Sequence, residues 1–288
     1  MMLMDPSQAA LAEPDAAIEK LCTGSFVAKV KSLGIPELCA DDFTINKYVS
    51  SGAYGSVFQA SNRENVIVAL KFYGYACYDP LTNLQDIENE LFVEFENNQL
   101  GIQVSPYCYG YFFDTYDGIV ANIKRDPSTD TSNSVTGKLH KGCFLVKVSE
   151  YLTAEAFNFI NLLYPLGAFS EDIVATIFKD IITGLFELHK RNIIHNDLKV
   201  ENIMFNSTGE VRIIDFGLCK SIKFGEEYID SSGRGFPFNL APETLIDRKI
   251  YKASDIWQAG TILNLFLFMR YPFEATDDKT VCCCHFIR

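Results

Sequence analysis

The chain has 288 residues, which is enough for one large domain or for two lobes with a buried core. Hydrophobic residues make up 48% of it and charged residues 22%, a composition typical of globular rather than disordered proteins. The net charge of −12 disfavours direct binding to nucleic acid or to an anionic membrane surface.

The first half of the chain is predicted to be rich in strands. Residues 1–42 are interpreted as an N-terminal extension, with a helix over 18–31 that ends before Gly34 and Pro36. Short β-rich runs broken by turn residues then predict five strands and one helix between them. The strands are predicted at 43–49, 56–60, 66–73, 109–114 and 143–148, and the helix at 84–100.

The second half is predicted to be mostly helical. Ser170 is a candidate N-cap for an amphipathic helix over 170–190. Its apolar face is predicted to hold Ile173, Ile177, Ile181, Leu185 and Leu188. The apolar run 262–269 is too short to span a bilayer and is interpreted as part of a core helix.

Together these elements predict an α+β, two-lobed fold. The domains expected are an extension over 1–42, a strand-rich lobe over 43–149 and a helical lobe over 150–288. A crevice between two lobes is a natural place for a nucleotide.

A glycine-containing turn lies between the first two predicted strands. Ser50, Gly52 and Gly55 precede Val57 there, and glycine lets backbone N–H groups approach phosphate oxygens closely. Two glycines in a hairpin are usually only a turn, but Lys71 follows Gly55 by sixteen positions on an apolar strand. Backbone N–H groups at the turn and a cation on a following strand together favour a phosphate site.

Lys71 is an ammonium group on an otherwise apolar strand and needs anionic partners. Phosphates and a glutamate from the following helix would supply them. The candidate glutamates are Glu88, Glu90, Glu94 and Glu96. We favour Glu96, because Leu100 one turn later would give it an apolar neighbour on the inward face.

Four segments further along the chain carry acidic, basic and amide side chains in a fixed order: 195–202, 215–217, 241–243 and 255–260. Such an order is suited to holding a metal–nucleotide complex beside a hydroxyl group. Over about 43–274 the ordered set resembles the eukaryotic-type serine/threonine protein kinase family. The resemblance implies a bilobal kinase-like fold. In such a fold the aspartate of 255–260 binds the backbone of the catalytic loop, which is the segment 195–202.

The resemblance also implies roles for the reacting groups. Asp197 would orient the substrate hydroxyl and accept its proton, and Lys199 would neutralise charge on the transferring phosphoryl group. Lys71 would contact the phosphates of ATP, and Asn202 and Asp215 would bind Mg²⁺.

The resemblance further implies that residues from both lobes hold the base of the nucleotide. Val57 and Ala69 would cover the adenine ring from one side and Met204 from the other. Glu150 and Leu152 would present backbone groups at the connection between the lobes.

The chain departs from the family pattern at several positions. Ser50 replaces a glycine, and Phe236 replaces a threonine that contacts the catalytic acid. Asn196 stands where many kinases carry an arginine that binds an activation-loop phosphate, so activity without that phosphorylation is expected. The second lobe is expected to be short after Glu274, whether naturally minimal, truncated or completed by a partner protein.

The leading hypothesis is a serine/threonine protein kinase that uses ATP and Mg²⁺ on a protein substrate. One alternative is a pseudokinase scaffold; another is a small-molecule phosphotransferase similar to choline or aminoglycoside kinases. The catalytic loop is also similar to that of kinases of large DNA viruses. Six of the nine cysteines are scattered singly without disulfide spacing, and no secretory segment is visible. These features predict an intracellular location in the cytoplasm or nucleus, of a host cell if the protein is viral.

Overall fold

Contacts between residues divide the chain into two units. The computed structural model describes residues 24–52, 55–73, 80–115, 143–163, 170–231 and 239–273. The first unit comprises residues 1–96 and 107–151, and the second comprises 97–106 and 152–288. Phe236 and the polar run 126–133 lie outside the described residues.

The first unit contains a five-stranded antiparallel sheet, as predicted. Its strands are β1 (Phe43–Gly52), β2 (Gly55–Asn62), β3 (Ile67–Tyr73), β4 (Cys108–Thr115) and β5 (Cys143–Glu150). They lie in the order β1-β2-β3-β5-β4. Hairpins join the first three strands, while β5 inserts between β3 and β4.

Two helices belong to the same half of the chain, α1 (Gly24–Ser32) and α2 (Pro80–Gln99). Because side chains alternate along a strand, the two faces of the sheet contribute to two apolar clusters. One contains Phe58, Leu70 and Val148. The other joins the sheet to α2 and includes Ile87, Leu91, Tyr73, Tyr111 and Leu145. This second cluster fixes which face of α2 points at β3 and β5.

The second unit is mostly helical, with short strand pairs. Its helices are α3 (Ala156–Leu163), α4 (Glu171–Lys190), α5 (Pro242–Ile246) and α6 (Lys252–Phe268). Its strands are β6 (Ala154–Glu155), β7 (Ile193–Ile194), β8 (Ile203–Phe205), β9 (Val211–Ile213), β10 (Lys220–Ser221), β11 (Ile229–Asp230) and β12 (Lys249–Ile250). The pairs are β6-β8-β9, β10-β7 and β11-β12.

Helix α4 begins after the predicted cap, since the Ser170 side chain accepts a hydrogen bond from the Ile173 backbone N–H. Most of the predicted apolar face is buried, but the assignment of Ile173 to it was wrong. Ile173 is exposed, and Val174 is buried instead. The buried stripe at 174, 177, 181, 184, 185 and 188 follows the spacing of one helix face from Val174 onward.

Helix α6 contains most of the apolar run that the sequence assigns to a core helix. Ile262, Leu265 and Phe266 are buried along it, as expected. Within the described part of the chain, every helix is too short or too polar to cross a membrane.

Candidate active site

Lys71 lies on β3 with its ammonium group paired to a carboxylate of α2. Its Nζ is 2.8 Å from Oε1 and 2.7 Å from Oε2 of Glu90, so the lysine donates to both oxygens. Glu90 is almost completely buried, and the Lys71 side chain is 18% exposed. An ammonium group held in this way has a fixed position and keeps a route to solvent or ligand.

The choice of Glu96 as the partner of Lys71 was wrong, because Glu90 occupies that position. Glu96 follows Glu90 by six residues, and at 3.6 residues per turn it points to another side of the helix. The choice depended on Leu100 as an inward neighbour, yet Leu100 is 56% exposed. The inward face instead carries Glu90, Leu91 and Glu94.

Burial and the neighbouring lysines shift the pKa of the Glu90 carboxyl in opposite directions. Burial by itself would raise the pKa of the Glu90 carboxyl, but Lys147 and Lys71 outweigh it and lower that pKa to about 2. Glu90 is therefore ionised at neutral pH and attracts both ammonium groups.

The glycine-containing turn is formed by the facing ends of β1 and β2. Ser50 pairs with Val57, and Gly52 pairs with Gly55. Gly55 has a φ of +152°, and a Cβ there would lie 1.9 Å from the backbone oxygen of Phe72. A side chain at position 55 would thus push β2 away from β3.

The other predicted base-binding residues of the first unit lie on adjacent strands. Val57 and Ala69 are half-buried on β2 and β3. Glu150 ends β5, where its backbone N–H donates to the Tyr107 carbonyl at 2.7 Å. Because the Glu150 N–H is engaged in this way, the backbone carbonyl is the group that Glu150 could offer to the adenine base. Leu152 follows in the second unit and is half-buried.

The catalytic loop of the second unit brings three of the predicted residues together. Lys199 Nζ is 2.6 Å from Asp197 Oδ2. Asn202 Nδ2 donates to the Asp197 backbone carbonyl at 2.8 Å and to Oδ2 at 3.3 Å. Oδ2 is therefore held by two donors, whereas Oδ1 has no hydrogen bond among the residues that the structure describes.

Asp215 is brought next to this loop by a strand pair. Ile203 pairs with Ile213, so Asn202 precedes β8 at the same end at which Asp215 follows β9. The Ile214 backbone N–H also donates to the Asn202 carbonyl at 2.9 Å. Asp215 itself has a left-handed conformation, with φ and ψ both 65°, which aspartate tolerates better than most residues. Met204 lies half-buried on β8.

Asp215 and Asn202 offer a carboxylate and an amide oxygen, and these donors suit Mg²⁺. Phosphoryl-transfer sites hold Mg²⁺ with one or two such side chains and the phosphates of the substrate. A protein cage is not needed, and in the described residues no group of three or more His, Cys, Asp or Glu side chains could hold a metal.

The loop is anchored by Asp255, which is completely buried on α6. Its Oδ2 accepts from the His195 backbone N–H at 2.9 Å and its Oδ1 from the Asn196 backbone N–H at 2.8 Å. Gln258 on the same helix accepts from the Leu198 backbone N–H at 2.9 Å. The predicted role of the 255–260 segment is confirmed. The His195 ring packs against the Phe216 ring with centroids 5.2 Å apart and planes tilted by 60°, which is a packing role.

Sequence reasoning missed Lys147, which lies on β5 directly across from Lys71. It is buried and donates to both Glu90 and Glu94. A lysine in the apolar run 143–148 was the available signal, because the reasoning used for Lys71 applies equally to it.

Comparisons with known proteins agree with this geometry. The family profile described as "Protein kinase domain" matches residues 137–286, just over half of the chain. The chain belongs to the protein kinase domain family. That family uses ATP and typically Mg²⁺, which fits the donors found at Asn202 and Asp215.

Individual relatives are protein kinases as well. The chain is 28% identical over 269 residues to serine/threonine-protein kinase AtPK1/AtPK6 of Arabidopsis thaliana, which covers 92% of this chain and 49% of that protein. It is 35% identical over 243 residues to a putative protein kinase C delta type homolog of Drosophila melanogaster, with 83% and 31% covered. Aurora kinase of Dictyostelium discoideum is 26% identical over 245 residues, with 84% and 54% covered. This kinase domain thus spans about half or less of these relatives' length.

Proposed function

We propose that the protein is an ATP-dependent serine/threonine protein kinase. The observation that carries the proposal is the hydrogen-bonded group Asp197, Lys199 and Asn202. Its relatives are named as serine/threonine-protein kinases or protein kinases, which favours a protein hydroxyl over a small-molecule acceptor.

The proton of the acceptor hydroxyl goes to Asp197 in this proposal. Oδ2 is held by Lys199 and Asn202, so Oδ1 is the oxygen that can accept it. Lys199 lies 2.6 Å from the carboxylate, where its charge also offsets negative charge on the phosphoryl oxygens. The loop positions both groups because Asp255 and Gln258 hold its backbone.

The nucleotide is held through Lys71, whose ammonium group Glu90 keeps in place. Asn202 and Asp215 would hold Mg²⁺, which when bound neutralises charge on the phosphate oxygens. The backbone of the β1–β2 turn, which Gly52 and Gly55 flank, would approach the phosphates, since the family's phosphate-binding loop lies there.

The finer parts of the proposal come from the sequence. They are activity without activation-loop phosphorylation, a protein partner at the end of the second lobe and an intracellular location. The likeness of the catalytic loop to kinases of large DNA viruses stays a prediction.

The test is transfer of labelled phosphate from Mg-ATP to a mixed-protein substrate, comparing the wild type with Asp197→Asn. The asparagine keeps the shape but accepts no proton, so we expect a rate loss of about a hundredfold or more. Equilibrium binding of Mg-ATP should change little. Transfer at the wild-type rate in Asp197→Asn, above the background of a mock purification that measures any contaminating kinase, would refute the assignment of Asp197. Binding of Mg-ATP by the wild type without turnover would favour the pseudokinase alternative.

A further inference from the structure

Lys71 and Lys147 are register partners on β3 and β5, and both reach the same carboxylate of α2. Like charges directly opposite each other in a sheet repel. The repulsion is severe here, since the side chains are only 18% and 4% exposed and water cannot screen them well. Anions must lie between the two ammonium groups for both to be charged.

Two carboxylates one helical turn apart supply that negative charge. Glu90 Oε1 is 2.8 Å from Lys71 Nζ and 2.6 Å from Lys147 Nζ, so this oxygen is shared. Glu94 accepts from Lys147 with both oxygens, at 2.8 and 2.7 Å. Glu94 therefore pairs with Lys147, whereas Glu90 pairs with both lysines.

We propose that Glu94 and Lys147 form a positioning pair for the Lys71–Glu90 contact. Glu94 balances the charge of Lys147, so Glu90 stays available to hold Lys71. Without that balance, Lys147 would draw Glu90 toward itself and Lys71 would lose its fixed position. The inference rests on the proposed function, because a fixed position of Lys71 matters for activity only if Lys71 binds the phosphates of ATP.

The pair responds to protonation of Glu94. Burial, together with the neighbouring Glu90, raises the pKa of the Glu94 carboxyl to about 7, although Lys147 opposes the shift. Above that pH Glu94 is ionised and balances Lys147. Below it Glu94 is neutral, and Lys147 competes with Lys71 for Glu90.

The other titratable groups around Glu94 keep their charge state near neutral pH. Burial raises the pKa of the Cys108 thiol on β4 to about 12. Burial also raises the pKa of the Tyr73 hydroxyl on β3 well above its usual value. Burial disfavours the ammonium form of Lys147, but Glu90 and Glu94 outweigh it and raise its pKa. Glu94 is therefore the group of this cluster that changes charge near pH 7.

The central experiment uses Glu94→Gln, which keeps the shape of the side chain and removes its charge. At about pH 8, where Glu94 of the wild type is mostly ionised, we expect kcat/KM for Mg-ATP to fall by about tenfold, mostly through a higher KM, as for a coupled network. Adding Lys147→Met to this variant removes the competing cation. The double variant should recover kcat/KM to within about threefold of the wild type, by the same coupling argument.

The pH profile separates positioning from a merely structural role. In the wild type, kcat/KM should fall as the pH is lowered through about 7. The double variant Glu94→Gln/Lys147→Met should lack this decline. Protonation of the nucleotide is common to both proteins, so the difference between the two profiles isolates Glu94.

A readout without nucleotide completes the test. In the full chain labelled at its glutamate carboxyl carbons, NMR should show Glu94 titrating with a midpoint near 7. The lysine Nζ signal of Lys71 should shift in Glu94→Gln and return in the double variant. These signals decide the inference even if the wild type neither binds nor turns over Mg-ATP, a result that would refute only the proposed function.

Two outcomes overturn the inference. One is a double variant that is as impaired as Glu94→Gln while both unfold at the wild-type midpoint. The other is a Glu94 titration at the ordinary glutamate value of about 4.3 together with an unchanged Lys71 signal.

Discussion

The side-chain amide of Asn196 donates to the backbone carbonyl of Leu218 at 3.2 Å. This bond joins the catalytic loop to the segment that follows Asp215. Asn196 has a φ of +66°, a conformation that asparagine adopts more readily than arginine. At the position where the resemblance to protein kinases implies an arginine, this chain therefore has a neutral side chain that is hydrogen-bonded within the second unit.

Activity should therefore be independent of phosphate on the activation loop. Ser231→Ala/Ser232→Ala should leave kcat within about twofold of the wild type, because each change removes only a hydroxyl group that would carry such a phosphate. The measurement is turnover with labelled ATP on protein whose phosphorylation state is checked by mass spectrometry. A loss of about tenfold or more would show that a loop phosphate is needed.

Glu90, not Glu96, should control the affinity for nucleotide. Glu90→Gln leaves Lys71 and Lys147 with less negative charge nearby, so KM for Mg-ATP should rise by about tenfold or more. Glu96→Gln on another side of α2 is the matched control and should change KM by less than about twofold. Equal effects of the two substitutions would contradict the ion pair assigned here.

The error at Glu96 shows which part of the site the sequence could not determine. Short β-rich runs broken by turn residues predicted all five strands of the first unit, because these are local signals. The rotation of α2 depends on which of its residues pack against β3 and β5, a tertiary choice. The same limit explains Ile173 on α4, which is exposed. The loop residues Asp197, Lys199 and Asn202 were predicted because their spacing is fixed within one short segment.

The catalytic loop should depend on Asp255 for its stability. Asp255→Ala removes the acceptor for the His195 and Asn196 backbone N–H groups and for His189 Nε2. The free energy of unfolding should fall by about 3 kcal/mol or more, because buried donors are left unsatisfied. Urea unfolding measures this loss. Asp180→Ala on the exposed side of α4 is the control and should change it by less than about 0.5 kcal/mol.

Two glycines in helices should respond oppositely to alanine. A Cβ at Gly260 on α6 meets nothing within 4 Å, so Gly260→Ala should stabilise the domain by about 0.5–1 kcal/mol through lower chain entropy. A Cβ at Gly184 on α4 would lie 2.1 Å from Val104 Cγ2. Gly184→Ala should therefore cost about 1–2 kcal/mol, because the contact outweighs the same entropic gain.

The contact with Val104 makes the second effect specific. Val104→Ala removes the methyl groups that the new Cβ would meet, so adding it to Gly184→Ala should cost less than Val104→Ala costs in the wild type. Urea unfolding of the two single variants and the double variant measures this coupling. Additive losses would mean that Gly184 is required for a reason other than close packing against Val104. Stabilisation by Gly184→Ala alone would mean that α4 and the 101–104 turn can move apart without cost.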